Sequence, residues 1–117
     1  MKVKITSIAD PGVLEKERIV MKVLSDTDIG VYAIFEANYR DGNITTGVKD
    51  VFWFPDKSVS AGDLVVLYTK QGNQNEKLLE GGNKSHFFYW GLGNPKWKTT
   101  STAPVLLEVS NWQVYRK

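Results

Sequence analysis

The sequence predicts an all-β protein, a sandwich of about seven to nine mainly antiparallel strands. Its apolar stretches are short, and each is bounded by turn residues such as Gly, Pro, Asp and Asn. Several of them alternate apolar and polar residues, which is the period of a strand with one buried face. No segment has the spacing of an amphipathic helix, so we expect less than about a tenth of the residues in helices.

The first half of the chain contains three such strands and one hairpin. Residues 2–8 alternate and end at an Asp-Pro-Gly turn, and residues 18–24 alternate again before a cluster of Ser, Asp and Thr. The third strand, residues 31–39, leads to the dipeptide Asp41-Gly42. This pair is favoured in tight hairpins, where the backbone needs positive φ, so we expect the third strand to turn directly back.

The second half continues with strands separated by polar loops. Residues 49–54 form a strand that Pro55 stops, because proline cannot donate to a sheet. Residues 64–69 lack alternation, as expected of a central strand covered on both faces. The longest polar segment, residues 71–84, is either a surface loop or contains one helical turn at residues 74–79. The remaining predicted elements are a strand at 85–91, a polar loop at 95–103, and closing strands at 104–109 and 112–116.

Length and composition indicate one globular domain over residues 1–117. The chain has no cysteine, which excludes disulfides, thiolate nucleophiles and cysteine-ligated zinc. The N-terminus has no apolar run of signal-peptide length, and no stretch approaches the roughly 18 apolar residues of a membrane span. We therefore expect a cytoplasmic protein without a membrane span.

Charge is distributed unevenly along the chain. The net charge is only +2, but residues 70–117 carry seven Lys and Arg against three Glu, a net +4. A basic half with interleaved Trp and Tyr is compatible with binding to phosphates, although the same bias occurs on ordinary solvated surfaces.

The predicted core lies between two sheets. Trp90, with Phe88 on the same face of its strand, is expected to fill much of the space between them. The side chains that we expect to be largely buried are Ile5, Ile19, Met21, Val23, Ile34, Phe52, Phe54, Val66, Phe88, Trp90, Leu106 and Val109.

The order of motifs across residues 51–94 resembles that of the lamin tail domain. An aromatic strand ends at Phe54-Pro55, a turn follows at Gly62-Asp63, and an apolar strand and a polar loop lead to Trp-Gly-Leu-Gly-Asn at residues 90–94. The chain departs from the family pattern at residues 31–34, where Val-Tyr-Ala-Ile replaces a Gly-Trp segment, and in the last hairpin, which lacks its glycine. The resemblance implies an immunoglobulin-like β-sandwich that serves as a binding scaffold and not as a self-contained enzyme.

The sequence offers no catalytic constellation, so we predict no enzymatic activity, no cofactor and no metal site. His86 is the only histidine and lies in mid-strand without a G-x-S-x-G motif, which indicates a partly exposed strand residue. Asp26 and Asp28 are possible oxygen ligands for Ca²⁺, but no acidic third residue or Ca²⁺-loop pattern accompanies them. The simpler interpretation of these two residues is a turn.

The candidate binding surface consists of loops 71–84 and 94–103. Trp97 lies between two lysines in a polar loop, and Trp is over-represented among the residues that dominate protein interfaces. The leading hypothesis is therefore a module that binds a protein partner or further copies of itself. In the alternative hypothesis the lysines contact nucleic-acid phosphates and the indole stacks on a base. A third interpretation makes Trp97 a lid over the open end of the core. The tentative binding residues are Lys96, Trp97, Lys98, Lys84 and Lys70.

Overall fold

The computed structural model describes residues 1–117 and confirms the predicted all-β sandwich. Helical structure is limited to one 3₁₀ turn at Ile29–Val31, and no element is a helix with the length and apolarity that crossing a membrane requires. There are ten strands, more than the predicted seven to nine. They are β1 (Val3–Ala9), β2 (Arg18–Val23), β3 (Thr27–Asp28), β4 (Tyr32–Arg40), β5 (Asn43–Trp53), β6 (Ser58–Val59), β7 (Leu64–Tyr68), β8 (Asn75–Leu78), β9 (Lys84–Tyr89) and β10 (Thr102–Glu108).

Two sheets packed face to face form the sandwich. The larger has five strands in the order β1-β2-β7-β9-β8, and the smaller has three in the order β10-β4-β5. Strands β3 and β6 form a separate two-residue ladder. All neighbouring strands pair antiparallel except β7 and β9, which run parallel. A parallel pair cannot be joined by a tight turn, so the chain makes a long excursion between β7 and β9.

The predicted Asp-Gly hairpin is present between β4 and β5. Asp41 and Gly42 adopt φ values of +52° and +83°, and Arg40 pairs directly with Asn43 across the turn. Both central residues therefore have the positive φ that a two-residue hairpin needs. Because pairing starts at the turn, β5 begins at Asn43 and not at residue 49.

The polar segment 71–84 is not wholly a loop and contains no helical turn, which corrects the prediction for residues 74–79. Strand β8 lies there and pairs antiparallel with β9. All four of its residues are exposed, because β8 is the edge of the five-stranded sheet. Backbone pairing alone defines such a strand, so its sequence needs no apolar alternation and gives no period-two signal.

The predicted closing strand at residues 112–116 is also wrong. The last backbone hydrogen bond of the chain joins the amide of Val109 to the carbonyl of Val31, and residues 110–117 form none. Trp112 packs instead against Trp53, and Val114 and Tyr115 are 78% and 85% exposed. Apolar and polar residues do alternate in this tail, but it pairs with no strand of the same chain.

Thirteen apolar residues from both sheets form the core, and they include about half of those predicted. Val66 is buried as well, although it lies outside this cluster. The predicted residues found in the core are Ile19, Met21, Val23, Ile34, Phe54 and Phe88.

Five residues predicted to be largely buried are only half-buried. Ile5, Phe52 and Leu106 lie on β1, β5 and β10, which are edge strands with one flank open to solvent. Trp90 and Val109 lie just beyond the ends of β9 and β10. The sequence shows which face of a strand is apolar but not whether the strand is central or at an edge.

Two adjacent phenylalanines of β9 provide a test of the core. Phe88 is 1% exposed and packs edge-on against Phe54, whereas Phe87 points to the outer face. We expect Phe88→Ala to lower the free energy of unfolding by about 3–5 kcal/mol, through lost apolar burial and the remaining cavity. Phe87→Ala should cost less than half as much in the same urea titration. Equal losses would mean that the assigned faces of β9 are wrong.

Candidate functional site

The most connected polar group of the structure is the carboxylate of Glu17, which lies just before β2. The side chain is fully buried. Its oxygens accept hydrogen bonds from the amides of Gly12, Lys96 and Trp97, each at 2.9 Å, and from the hydroxyl of Thr69. Glu17 therefore fixes the loop that carries Lys96, Trp97 and Lys98.

The hydrogen bonds to Glu17 control its ionisation. Burial by itself raises the pKa of this carboxyl, because it disfavours the charged form. The donors from Lys96, Thr69, Gly12 and Trp97 favour the charged form and together outweigh burial, so the pKa lies below its ordinary value. The folded protein thus holds a buried, ionised carboxylate with every oxygen bonded twice.

Trp97 is part of the core. Its side chain is 5% exposed and lies against Trp90, with ring centroids 6.4 Å apart. This agrees with the lid interpretation, and the indole is not accessible for contact with a partner. Two lysines flank Trp97 in a polar loop, but the backbone amides of Lys96 and Trp97 donate hydrogen bonds to the buried carboxylate of Glu17. These bonds hold this part of the loop against the core.

Lys96 is likewise occupied within the fold. Its ammonium group bonds to the carboxylates of Glu36 and Asp50 on the three-stranded sheet and lies 5.2 Å from the Trp90 ring centroid. Burial alone lowers the pKa of Lys96, but the hydrogen bonds to Asp50 and Glu36 outweigh it, so the pKa is raised. Lys96 is therefore a permanent charge that links loop and sheet.

The other three predicted binding residues are Lys98, Lys70 and Lys84, and they do not form one patch with Lys96. Lys98 is exposed and lies over Gly12. Lys70, just beyond the end of β7, is 3.5 Å from Glu15. Lys84, at the start of β9, pairs with Glu76 at 2.7 Å. Because β7 and β9 run parallel, Lys70 and Lys84 lie at opposite ends of the sheet.

His86 is buried and not partly exposed as predicted. Its Nε2 lies 2.8 Å from Asp63, and its side chain is 3% exposed. Burial raises the pKa of Asp63, but His86 and donors from Ser60, Asn83 and Lys84 outweigh this and hold the pKa well below its usual range. The side chain of His86 bonds to no hydroxyl group, so the pair is a buried link between β9 and the turn before β7.

The two aspartates considered for Ca²⁺ bond to the backbone. Asp28 Oδ1 accepts from the amides of Gly30 and Lys57 at 2.8 and 2.9 Å, and Asp26 Oδ1 accepts from Ala61 at 2.8 Å. No three His, Asp or Glu side chains converge to form a metal site. The turn interpretation accounts for both residues.

The outer face of the three-stranded sheet is apolar and uncovered. Its members are the residues of β4 that alternate with the core residues, and their partners in β5 and β10. Trp53, Val51 and Ile44 are 47%, 50% and 54% exposed. Trp112 packs edge-on against Trp53 with centroids 5.2 Å apart and widens the surface. We refer to this surface as the apolar sheet face, formed by Phe35, Tyr39, Ile44, Val48, Val51, Trp53, Val105, Leu107 and Trp112.

The shape of the apolar sheet face is a shallow groove. On the central strand β4, Ala33 and Ala37 are almost completely enclosed between taller neighbours on β5 and β10. Phe35 stands between these two alanines. None of the paired outward positions carries a charge, and the exposed Lys49 lies beside them, unpaired in the bulge between Val48 and Asp50.

The extent of the apolar sheet face exceeds that of ordinary surface patches. Its nine side chains present roughly 700 Å² of accessible surface, if a whole aromatic side chain presents about 150–250 Å². The largest apolar patch on a typical monomeric protein is about 300–600 Å² and is often functional. A signal in the sequence was available, since residues 32–35 and 105–107 are apolar on both faces of their strands.

A comparison of the sequence with protein-family models finds no match, and a comparison with curated proteins finds none either.

The role of Glu17 predicts a pH-dependent stability. Its lowered pKa means that the contribution of the carboxylate is complete above the ordinary value of 4.5 and is lost as pH falls through the folded pKa. In Glu17→Gln an amide NH₂ would face backbone donors, which should cost at least about 3 kcal/mol at pH 7. The loss of stability below pH 4.5 should also become shallower. Glu15→Gln, at an exposed site, is the control. Identical pH profiles for both variants and the parent would contradict this role.

A second test separates the lid from a binding anchor. Trp97→Ala should lower the free energy of unfolding by about 3–5 kcal/mol, because it empties a buried site. Trp112→Ala, at a side chain 56% exposed, should change it by less than about 1 kcal/mol. Chemical denaturation followed by circular dichroism measures both. A Trp97→Ala protein as stable as the parent would show that the indole does not close the core.

Proposed function

We propose that the protein is a non-enzymatic interaction module that binds a protein surface through the apolar sheet face. The observation that carries the proposal is this broad, apolar and unpartnered face on a folded sheet. The function class is the one that the sequence predicted. The proposed surface differs from loops 71–84 and 94–103, since Trp97 and Lys96 are engaged within the fold.

The energetics favour a protein as the ligand of this face. At about 25 cal/mol per Å², covering roughly 700 Å² of apolar surface is worth on the order of 15 kcal/mol before costs. Association costs an estimated 4–15 kcal/mol, so an interface of this size can be stable. A polyanion would gain little here, because none of the paired positions of the face offers a cation to its phosphates.

The geometry gives less support to the nucleic-acid hypothesis. Trp97 is enclosed and offers no ring to a base. On the outer face of the five-stranded sheet, Tyr68 and Tyr89 stack on each other with centroids 5.3 Å apart. Arg18 and Lys70 also lie over the Tyr68 ring. Nucleic-acid binding stays a prediction that depends on basic side chains and on an aromatic ring other than Trp97.

The resemblance to the lamin tail domain points to the same class of function. We propose membership of that family on the motif order across residues 51–94, which lies on β5 to β9 and the turn that follows. Gly62 and Gly91, both in the matched turns, have φ values of +92° and +86°. Residues other than glycine rarely adopt such values. The resemblance implies a scaffold whose surfaces bind, and the apolar sheet face is such a surface.

Site-specific photo-crosslinking tests the proposed function. A benzophenone amino acid replaces Val51 on the apolar sheet face, and in a matched control it replaces Ser7 on the outer face of the other sheet. After irradiation in cells that naturally contain the protein, we expect a discrete protein adduct from position 51 and none from position 7. No adduct from position 51, or the same adducts from both positions, would contradict the proposal.

A further inference from the structure

We infer that the occupant of the apolar sheet face is a second copy of the same chain, packed face to face about a two-fold axis. This inference rests on the proposed function and names its partner. Three features of the face support it, namely its shape, its lack of charge and its area.

The shape of the face is complementary to itself. An isologous interface needs one patch that supplies both projections and hollows, because each copy presents the same surface. On β4 the large, partly exposed side chain of Phe35 lies between the small side chains of Ala33 and Ala37. Residues two apart on a strand are about 7 Å from each other, so a small offset places each Phe35 ring over an alanine of the second copy.

The absence of charge favours a second copy over a different protein. Interfaces between different proteins gain specificity and orientation from complementary charges, and the outward positions of this face offer none. Two identical copies can approach through the paired positions of this face without placing like charges opposite each other at those positions. Homodimer interfaces are also the more apolar class.

The area is sufficient for a specific dimer. Stable interfaces of standard size bury about 800 Å² per partner. The apolar sheet face supplies roughly 700 Å², and its polar rim would add to the total. Trp53 and Trp112, which are about half exposed, would become buried in such a dimer.

Sedimentation velocity over a concentration series tests the inference, with tryptophan emission as a second readout. We expect a species of twice the 13.2 kDa chain mass at micromolar concentration, and a red shift of the emission as dilution exposes Trp53 and Trp112. Val51→Glu should weaken association at least about 30-fold, because it buries an unpaired charge. Val105→Glu, on the opposite side of the groove, should act in the same way. Ser7→Glu, on the other sheet, should leave the dimer intact.

Two outcomes would overturn the inference. The first is a chain that stays monomeric up to about 1 mM, far above the concentration at which an interface of this area should form. The second is a dimer that persists in both glutamate variants, since it must then use another surface. The photo-crosslinking experiment distinguishes a failure of the dimer inference from a failure of the proposed binding function. An adduct from position 51 with a different protein would leave the binding face in place and exclude the second copy.

Discussion

The buried carboxylate of Glu17 is the constraint on which the arrangement of the loops depends. A charge removed from water is strongly unfavourable unless several donors replace the lost hydration. At Glu17 those donors come from three separate parts of the chain, at Gly12, at Thr69 and at Lys96 with Trp97. Each segment must reach the same point before the carboxylate is satisfied. The position of Trp97 over the core follows from this requirement.

The same network holds the two sheets together at one end. Glu17 opens β2 in the five-stranded sheet, and the loop that it binds carries Lys96 to Glu36 and Asp50 in the three-stranded sheet. Asp63 joins the strands of the larger sheet through His86. These links lie inside the sandwich or at its ends. The outer face of the small sheet takes no part in these links and remains exposed.

The sequence predicted the class and most strands because period-two patterning and turn residues are local properties. Asp41-Gly42 even specified the hairpin correctly. It did not reveal β8, whose pairing is purely backbone, nor the unpaired tail around Trp112, whose alternation had no partner. The Glu17 site and the apolar sheet face were missed for a common reason. Their members are distant in sequence, and their proximity follows from the strand order, which no local pattern contains.

The route of the chain through the small sheet has a consequence for biosynthesis. Strands β4 and β5 are neighbours in sequence and form a hairpin, but β10 follows only after all five strands of the larger sheet have been made. The donors that Lys96 and Trp97 offer to Glu17 also arrive late. During translation, which proceeds from the N-terminus, the groove on β4 therefore lacks one wall until β10 emerges. Nascent chains on one messenger RNA would not present the finished face to each other before β10 has emerged, so β10 sets the earliest point at which they could assemble.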